Sequence, residues 1–382
     1  MGSLNQYKSL GIEFAGNQIR LVAADQAKFD SILTAQTLHL SQSLESNSGE
    51  EAIGLLQGFA KRNGLDGCDT NFSVPSEQAN FIWTKLPNAR RSELTDLATY
   101  KLREQLPAGV DGTCIGVIPF DSLGDQIEAL VIAVPKASVL DRAKLIRKAG
   151  LNPVGCEVEA QSLLRVAQKE LRSMSALFRQ LSMTLVDIGP DRTRFIVMQN
   201  QRVQFVRTVK FGSNRLVKSV SEILGESPEL IESALASGSA WVDGFSNLHL
   251  ELNGEWHEVD GAAVFEQLYK ELRRLVTYFR NLRTDRSYSG LLERLILSGD
   301  LVSITGFPKA VSRTMGTRTH AMNPFLGTAL EMDSADLSHI IAVPHRYAVS
   351  AGLALADYSN KKEAQIGFTD RRKIEEPTTE AA

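Results

Sequence analysis

The segment from 184 to 198, Thr-Leu-Val-Asp-Ile-Gly-Pro-Asp-Arg-Thr-Arg-Phe-Ile-Val-Met, constrains the fold of this chain more than any other stretch. β-branched and apolar residues run up to Asp187, and Gly189-Pro190-Asp191 has the composition of a tight turn. A second apolar run follows from 194 to 198, and a third from 203 to 208. The pattern predicts a three-strand meander with an acidic residue at its first turn.

A weaker copy of this pattern lies near the N-terminus, from 10 to 23, followed by a third apolar run from 29 to 37. Glu13 stands 174 positions before Asp187, and Arg20 stands the same distance before Arg194. Repeat proteins of the solenoid class show much shorter periods of about 20–50 residues. Similarity at nearly half the chain length therefore predicts two related lobes, each built on a meander.

The composition limits the class of protein. With 382 residues the chain can bury a sizeable core, and 43% apolar and 23% charged residues are typical of a soluble globular protein of two domains. The net charge of −3 gives no reason to expect nucleic-acid binding. No run approaches the roughly 18 apolar residues of a membrane span. The N-terminus lacks the pattern of a secretory signal, so we expect a cytoplasmic protein.

Cysteine and histidine spacing gives no sign of a metal site. Cys68, Cys114 and Cys156 are far apart and odd in number, which favours buried thiols in a reducing compartment. The six histidines are scattered without the spacing of zinc ligands. A zinc site and a Ser-His-Asp hydrolase are therefore disfavoured.

The helix and strand patterns along the chain predict a first lobe that is interrupted by a small α+β subdomain. The subdomain reads strand, helix, strand, strand, helix, strand, and Gly150 with Pro153 ends its second helix. The stretch from 238 to 254 reads as polar and irregular. The predicted units are the first lobe 1–78, the inserted subdomain 79–157, a linking helix 158–183, the second lobe 184–340, a C-terminal helix returning to the first lobe 341–357, and a disordered tail 358–382.

A predicted helix from 265 to 283 combines basic and aromatic residues, a composition found in some nucleic-acid-binding proteins. Its apolar residues recur at helical spacing and form a stripe that faces a core. The apolar positions are Phe265, Leu268, Leu272, Leu275, Val276, Phe279 and Leu282, and the basic ones are Lys270, Arg273, Arg274, Arg280 and Arg283. We therefore interpret the basic residues as a solvated face and do not expect nucleic-acid binding.

Several segments resemble the motifs of one family. Residues 11–22, Gly-Ile-Glu-Phe-Ala-Gly-Asn-Gln-Ile-Arg-Leu-Val, are similar to its opening Gly-Leu-Asp-Ile-Gly-Ser-Ser-Ser-Val-Lys-Leu-Val. Val186-Asp-Ile-Gly resembles its second phosphate motif, and Phe211-Gly-Ser-Asn-Arg-Leu its Phe-Gly-Gly-Asn-x-Leu. Four further motifs follow in the same order as in that family: Gln105-Leu-Pro, Lys148-Ala-Gly-Leu-Asn-Pro-Val, Leu297-Ser-Gly and Ala351-Gly-Leu-Ala-Leu. Over roughly residues 8 to 357 the chain thus resembles the PilM proteins of type IV pilus assembly, relatives of FtsA and of the GspL cytoplasmic domain.

The resemblance implies an α/β, two-lobe actin-like ATPase (ribonuclease H-like) fold with an FtsA-type inserted subdomain. It also implies a cytoplasmic protein, peripheral to the inner membrane, that holds the cytoplasmic N-terminal tail of a PilN-like single-span membrane protein. The walls of that groove would include the segments 79–86 and 112–120 of the insert, where an extended peptide adds to a sheet edge. Other pilus assembly components are expected partners, and homo-oligomerisation is left open.

The resemblance further implies ATP and Mg²⁺ bound between the lobes. Glu13 and Asp187 would orient the hydrated metal ion through water. Backbone N–H groups and small polar side chains would contact the nucleotide. The implied nucleotide residues are Gly16, Asn17, Gln18, Asp187, Gly189, Thr193, Gly212, Ser298 and Gly299.

Three loops depart from the family pattern. The first has Ala15-Gly16-Asn17-Gln18 in place of Gly-Ser-Ser-Ser, and Glu13 replaces Asp. In the second, Pro190 removes one N–H donor, and in the third Asp300-Leu301 replaces Gly-Gly. Each lost hydrogen bond to a charged group costs roughly 1.5–3 kcal/mol. We therefore expect weak or no ATP binding and no catalytic residue. The protein would then be a degenerate member of the ATPase class.

The leading interpretation is a non-enzymatic scaffold of a type IV pilus or of the related type II secretion machine. One alternative is a working Mg-ATP-binding ATPase whose altered loops still close around the nucleotide. Another is an FtsA-like filament protein, which is disfavoured because the C-terminal residues Pro-Thr-Thr-Glu-Ala-Ala are not an amphipathic membrane helix. A sugar-kinase-like relative is disfavoured because no catalytic carboxylate for a sugar hydroxyl is evident.

Overall fold

The computed structural model describes residues 8–27, 31–44, 49–106, 108–173, 183–199, 202–282, 294–356 and 366. The first part of the chain forms β1 Lys8–Ala15, β2 Gln18–Asp25, β3 Ser31–His39, α1 Glu50–Arg62 and β4 Asp69–Val74. Next come β5 Asn80–Pro87, α2 Arg91–Leu102, β6 Thr113–Leu123, β7 Gln126–Pro135 and α3 Lys136–Lys148. The strand β8 Asn152–Val158 and the helix α4 Glu159–Ser173 complete this half.

The second half repeats the opening meander as β9 Met183–Ile188, β10 Thr193–Gln199 and β11 Arg202–Val209. It continues with α5 Ser213–Leu224, α6 Pro228–Ser237, β12 Ala240–Val242, β13 Leu248–Leu252 and β14 Glu255–Val259. The remaining elements are α7 Gly261–Leu282, β15 Arg294–Gly299, α8 Phe307–Met315, β16 Arg318–Ala321, α9 Ser334–Ala342 and α10 Ala348–Ala354.

Two five-stranded sheets have the same topology. Their strand orders are β3-β2-β1-β4-β8 and β11-β10-β9-β15-β16. In each sheet an antiparallel meander is followed by two parallel strands. Glu13 pairs with Arg20 across β1 and β2, and Asp187 pairs with Arg194 across β10 and β9. The repeat that the sequence predicts is therefore present in strand order and in register, which confirms the two-lobe α/β fold.

The inserted subdomain has its own sheet of order β5-β7-β6, covered on one face by α2. Residues on the other face pack with the main core, which includes β10 and the start of β11. The predicted insert ran to residue 157, but β8 pairs with β4 in the first lobe's sheet. The insert's own sheet thus ends at β7, because the last strand of the sequence pattern continues the parallel part of the first sheet.

The stretch 238–254, which we predicted to be irregular, is instead part of a third sheet, β12-β13-β14. Leu248, Leu250 and Leu252 alternate along β13 and are buried in the second lobe's core. Asn253 and Gly254 both have positive φ, 52° and 85°, and form the two-residue turn between β13 and β14. The irregular assignment was wrong because this alternation is only five residues long and is flanked by polar residues.

The C-terminal part of the chain packs against the first lobe. A Cβ atom on Gly11 would lie 2.0 Å from the carbonyl oxygen of Ser350, so only glycine lets β1 approach α10. The predicted end of the linking helix (174–182) and most of the predicted disordered tail lie outside the described residues. Ile366 is described, and it is buried with its N–H donating to the Cys156 carbonyl at 3.1 Å. At this one position the chain is held against the edge strand β8, contrary to the predicted disorder.

Candidate functional site

The turns between β1 and β2 and between β9 and β10 meet where the two lobes face each other. Gly16 has a φ of 62°, and a Cβ atom there would lie 2.3 Å from Oδ2 of Asp191. Gly212 lies under the second turn, because its Cβ position is 2.2 Å from the Pro190 carbonyl oxygen. Gly299, with φ 90°, has its Cβ position 2.1 Å from the Ile188 carbonyl oxygen. These three predicted nucleotide-site glycines are needed for close approach within the chain.

Arg194 occupies the centre of this region and is buried. Its guanidinium donates in a bidentate manner to Glu159, with Nε–Oε2 at 2.7 Å and Nη2–Oε1 at 2.5 Å. Its Nη1 donates to Oδ2 of Asp187 and lies 3.6 Å from Oε1 of Glu13. Both predicted magnesium carboxylates therefore face one protein cation.

Arg20 forms a second buried centre in the equivalent position of the first lobe. Its guanidinium donates to Asp300 Oδ1 at 2.7 Å and to Gln18 Oε1 at 2.8 Å, both through Nη2. Asp300 also accepts a hydrogen bond from Ser213 Oγ at 2.8 Å and lies 3.4 Å from Arg346 Nε. Asp300, which stands where the family pattern has glycine, thus links the two lobes through its ion pair with Arg20.

Burial and charge act against each other in this network. Burial raises the pKa of Glu13 to about 8, and the attraction of Arg20 and Arg194 only partly offsets it. Burial would also raise the pKa of Asp300, but Arg20 and Arg346 outweigh it and lower that pKa. The raised pKa favours the protonated form of the Glu13 carboxyl near neutral pH. Arg194 is then paired through its hydrogen bonds with Asp187 and Glu159, and Arg20 and Arg346 both face Asp300.

The remaining predicted nucleotide residues are brought to the same region, and most of their polar groups already have partners, although Oδ1 of Asn17 is buried without a hydrogen-bond partner. Thr193 Oγ1 donates to the Phe211 carbonyl at 2.7 Å, and Ser298 Oγ donates to the His345 carbonyl at 3.1 Å. The N–H of Gly189 donates to the Arg192 carbonyl at 2.9 Å. The carbonyl oxygen of Asn17 accepts from the N–H of Leu40 at 2.7 Å.

The space between the two turns is small. The cavity lined by Gly16, Pro190, Asp191 and Arg194 has a volume of about 100 Å³, whereas ligand pockets usually have about 300–1,000 Å³. A cavity of about 470 Å³ lies beside α5 and is lined by residues that include Gly212, but its lining includes neither Glu13 nor Asp187. Neither of these two cavities therefore combines a volume sufficient for a nucleotide with the candidate metal carboxylates Glu13 and Asp187.

The common offset of 174 positions pairs Arg20 with Arg194 in the sequence, but it assigns neither arginine a role. The signal was present, because each arginine stands opposite the candidate metal carboxylate of its own lobe. The partners Glu159 and Arg346 had no comparable signal, since they are distant in sequence and meet the arginines only in the folded chain. Within the described ranges, no group of three or more His, Cys, Asp or Glu side chains is arranged to hold a metal ion.

Paired five-stranded sheets that meet at a cleft define the class: the fold is that of the actin-like ATPases. It is similar to MreB5 of Spiroplasma citri bound to ADP, with a TM-score of 0.51 and 10% identity over 94% of this chain and 98% of that one. The AMPPNP-bound form of MreB5 also gives a TM-score of 0.51, with 9% identity over the same shares of the two chains.

A family model described as type IV pilus assembly protein PilM matches residues 110–358, and the chain belongs to this family. Its structure is also similar to one titled "PilM-PilN type IV pilus biogenesis complex", with a TM-score of 0.68 and 18% identity. That match covers 93% of this chain and 98% of the other. No helix in the described part of the chain has the length and apolar character needed to cross a membrane.

Proposed function

We propose that this protein is a scaffold in the inner-membrane assembly platform of a type IV pilus, or of a related type II secretion machine. In this role it binds the cytoplasmic N-terminal tail of a PilN-like membrane protein and stays peripheral to the membrane through that partner. Its interlobe site is degraded, so it neither depends on Mg-ATP nor acts as an enzyme. Family membership and the likeness to the PilM-PilN complex support the scaffold role.

The observation that carries the loss of nucleotide dependence is the placement of Arg194. Its guanidinium contacts Asp187 and Glu159 and stands 3.6 Å from Glu13. A hydrated Mg²⁺ needs free carboxylate oxygens in that place. Binding would require Arg194 to leave these carboxylates, and separating a buried ion pair is strongly unfavourable. The lobes are thus held together by internal charges in the place of a ligand.

The tail-binding groove is proposed at the insert. β5 and β6 are the two edges of the insert's sheet, and in the described part of the chain each pairs only with β7. The apolar side chains on the side facing the second lobe are only partly buried, which leaves apolar area for a peptide to cover. On the insert these residues are Phe81 of β5 and Ile118 and Phe120 of β6, and Val206 of β11 is the partly buried apolar residue on the second lobe's side.

Trp83 on β5 is the best probe of this groove. Its indole N–H donates to the Val203 carbonyl at 3.1 Å, and 43% of the residue's surface stays exposed. It therefore spans the insert and the second lobe while keeping a free face. Exposed aromatic side chains in such a position commonly anchor peptide partners.

We expect Trp83→Ala to weaken binding of the PilN-like tail at least tenfold, because the peptide loses its aromatic anchor. The measurement is fluorescence anisotropy of a labelled synthetic tail of the PilN-like protein from the same organism. Trp256→Ala, which removes another exposed tryptophan from β14 in the second lobe, is the matched control and should leave tail affinity unchanged. Unchanged affinity in Trp83→Ala would place the tail elsewhere, and no binding by the wild type would refute the proposed partner.

A further inference from the structure

The outer face of the sheet β12-β13-β14 carries an unusual set of exposed aromatic residues. Cross-strand pairing places Trp241 opposite His249, His249 opposite Glu258, and Glu251 opposite Trp256. Because side chains alternate between the two sides of a strand, these five residues share one side, here termed the aromatic face. Trp241 is 39% exposed and Trp256 is 58% exposed. The opposite side carries the leucines that are buried in the core.

The aromatic face is structurally organised. The rings of Trp241 and His249 are stacked, with centroids 4.1 Å apart and planes 9° from parallel. At its end the turn between β12 and β13 presents Phe245, which is 90% exposed. Oδ1 of Asp243 accepts the N–H groups of Phe245 and Asn247, each at 2.8 Å, so the turn is fixed by hydrogen bonds.

The edge strand β14 leaves backbone groups free to pair. In the described part of the chain β14 pairs only with β13. The N–H of Glu251 on β13 donates away from β14, to the Ser239 carbonyl at 2.9 Å. In an antiparallel ladder the residue opposite such a position also directs its N–H and C=O groups away from the shared strand. Trp256 therefore directs its backbone groups to the outer edge, where an extended chain can add.

The charge around the aromatic face selects the partner. The segment 238–262 contains five carboxylates and neither lysine nor arginine. Arg313 of α8 donates to the Gly244 carbonyl, at the end of the face that carries Phe245. A surface of this sign repels nucleic acid and anionic lipid headgroups. Pairing of β14 with β14 of a second copy would bring Glu255 and Glu258 close to their own equivalents, and like charges across strands are destabilising. Tryptophan faces together with carboxylates favour guanidinium and ammonium groups.

We infer that the aromatic face and the β14 edge form a docking surface for an extended, arginine- or lysine-rich segment of a partner protein. The segment adds along β14 through its backbone, and its cationic side chains lie over Trp256 between Glu251 and Glu258. This surface is separate from the proposed tail groove at the insert. The inference does not depend on the identity of the PilN-like partner.

The test uses the full chain and a fluorescein-labelled peptide in which arginine alternates with threonine. We expect saturable binding that weakens as salt rises, at least a tenfold loss in Trp256→Ala, and a similar loss in the double variant Glu251→Gln/Glu258→Gln. Two control variants should bind the peptide as the wild type does. One is Glu222→Gln, which removes an exposed carboxylate on α5, and the other is Trp83→Ala. An analogue with glutamine in place of arginine should bind at least tenfold more weakly.

Equal binding of the two peptides, or wild-type affinity in both Trp256→Ala and the double variant, would overturn the inference. Sedimentation that shows a wild-type dimer and a Trp256→Ala monomer would also overturn it, because the occupant would then be a second copy. Thermal unfolding of each variant provides the folding control, since these side chains are exposed and should leave the midpoint nearly unchanged. Loss of tail binding in Trp83→Ala with retained cationic-peptide binding separates this surface from the proposed tail groove.

Discussion

Replacing Arg194 with alanine is expected to lower the free energy of unfolding by about 3–5 kcal/mol, the typical loss when one partner of a buried ion pair is removed. The substitution leaves Asp187 and Glu159 buried without the guanidinium that both contact. It also removes the guanidinium that stands 3.6 Å from Oε1 of Glu13. Urea or guanidinium unfolding followed by circular dichroism measures the change.

Two matched variants make this result interpretable. Arg192→Ala removes a partly exposed arginine from the same turn, one that pairs with Glu77, and it should cost no more than about 1 kcal/mol. Arg194→Lys keeps the charge but not the bidentate geometry, so its loss should lie between those of the two alanine variants. If Arg194→Ala and Arg192→Ala cost the same, the buried network does not stabilise the lobes as described.

The dependence of the unfolding free energy on pH should show the titration of the Glu13 carboxyl. The pKa of this carboxyl is about 8 in the folded chain, against 4.5 for an unperturbed glutamate. The folded state therefore binds the proton more tightly than the unfolded state. The resulting stability is fully present below pH 4.5, declines as pH rises toward 8, and is constant above that. Each pKa unit corresponds to about 1.4 kcal/mol, so the decline amounts to a few kcal/mol.

Glu13→Gln should remove this decline, because glutamine resembles the protonated carboxyl in shape and charge. We expect the variant and the wild type to have similar unfolding free energies at pH 5, and the variant to be more stable by a few kcal/mol at pH 8.5. Their difference cancels the titration of the other groups. Glu222→Gln, at an exposed position, should follow the wild-type curve. Parallel curves for Glu13→Gln and the wild type would show that Glu13 is ionised throughout.

Much of the fold could be predicted from local pattern. The repeated meander is encoded in short runs of β-branched and apolar residues, and the constant offset between the two copies predicts the matching topology. The third sheet was also encoded, in the alternation of Leu248, Leu250 and Leu252 before Asn253-Gly254. The sequence analysis does not predict this sheet, because the polar residues between the leucines are also typical of a loop. In the structure they form the outer face of a half-buried sheet.

The candidate site was predictable in position but not in chemistry. The residues assigned to the nucleotide by resemblance do come together, because they lie on equivalent turns of two equivalent sheets. Their partners could not be predicted, since Asp300 is 280 positions from Arg20 and Glu159 is 35 positions from Arg194. Only the packing of the lobes determines that these groups meet. Asp300 was correctly noted as unusual, but its place is in an ion pair with Arg20.

We propose that internal charges replace Mg-ATP between the lobes. The most direct test is thermal unfolding of the purified protein with and without millimolar Mg-ATP, alongside the Asp187→Ala variant. A ligand at 100 times its dissociation constant adds about 2.7 kcal/mol and would raise the midpoint by a few degrees. We predict no shift for either protein. A clear shift of the wild type that is absent in Asp187→Ala would show that Mg-ATP binds at Asp187, and the function would then depend on nucleotide.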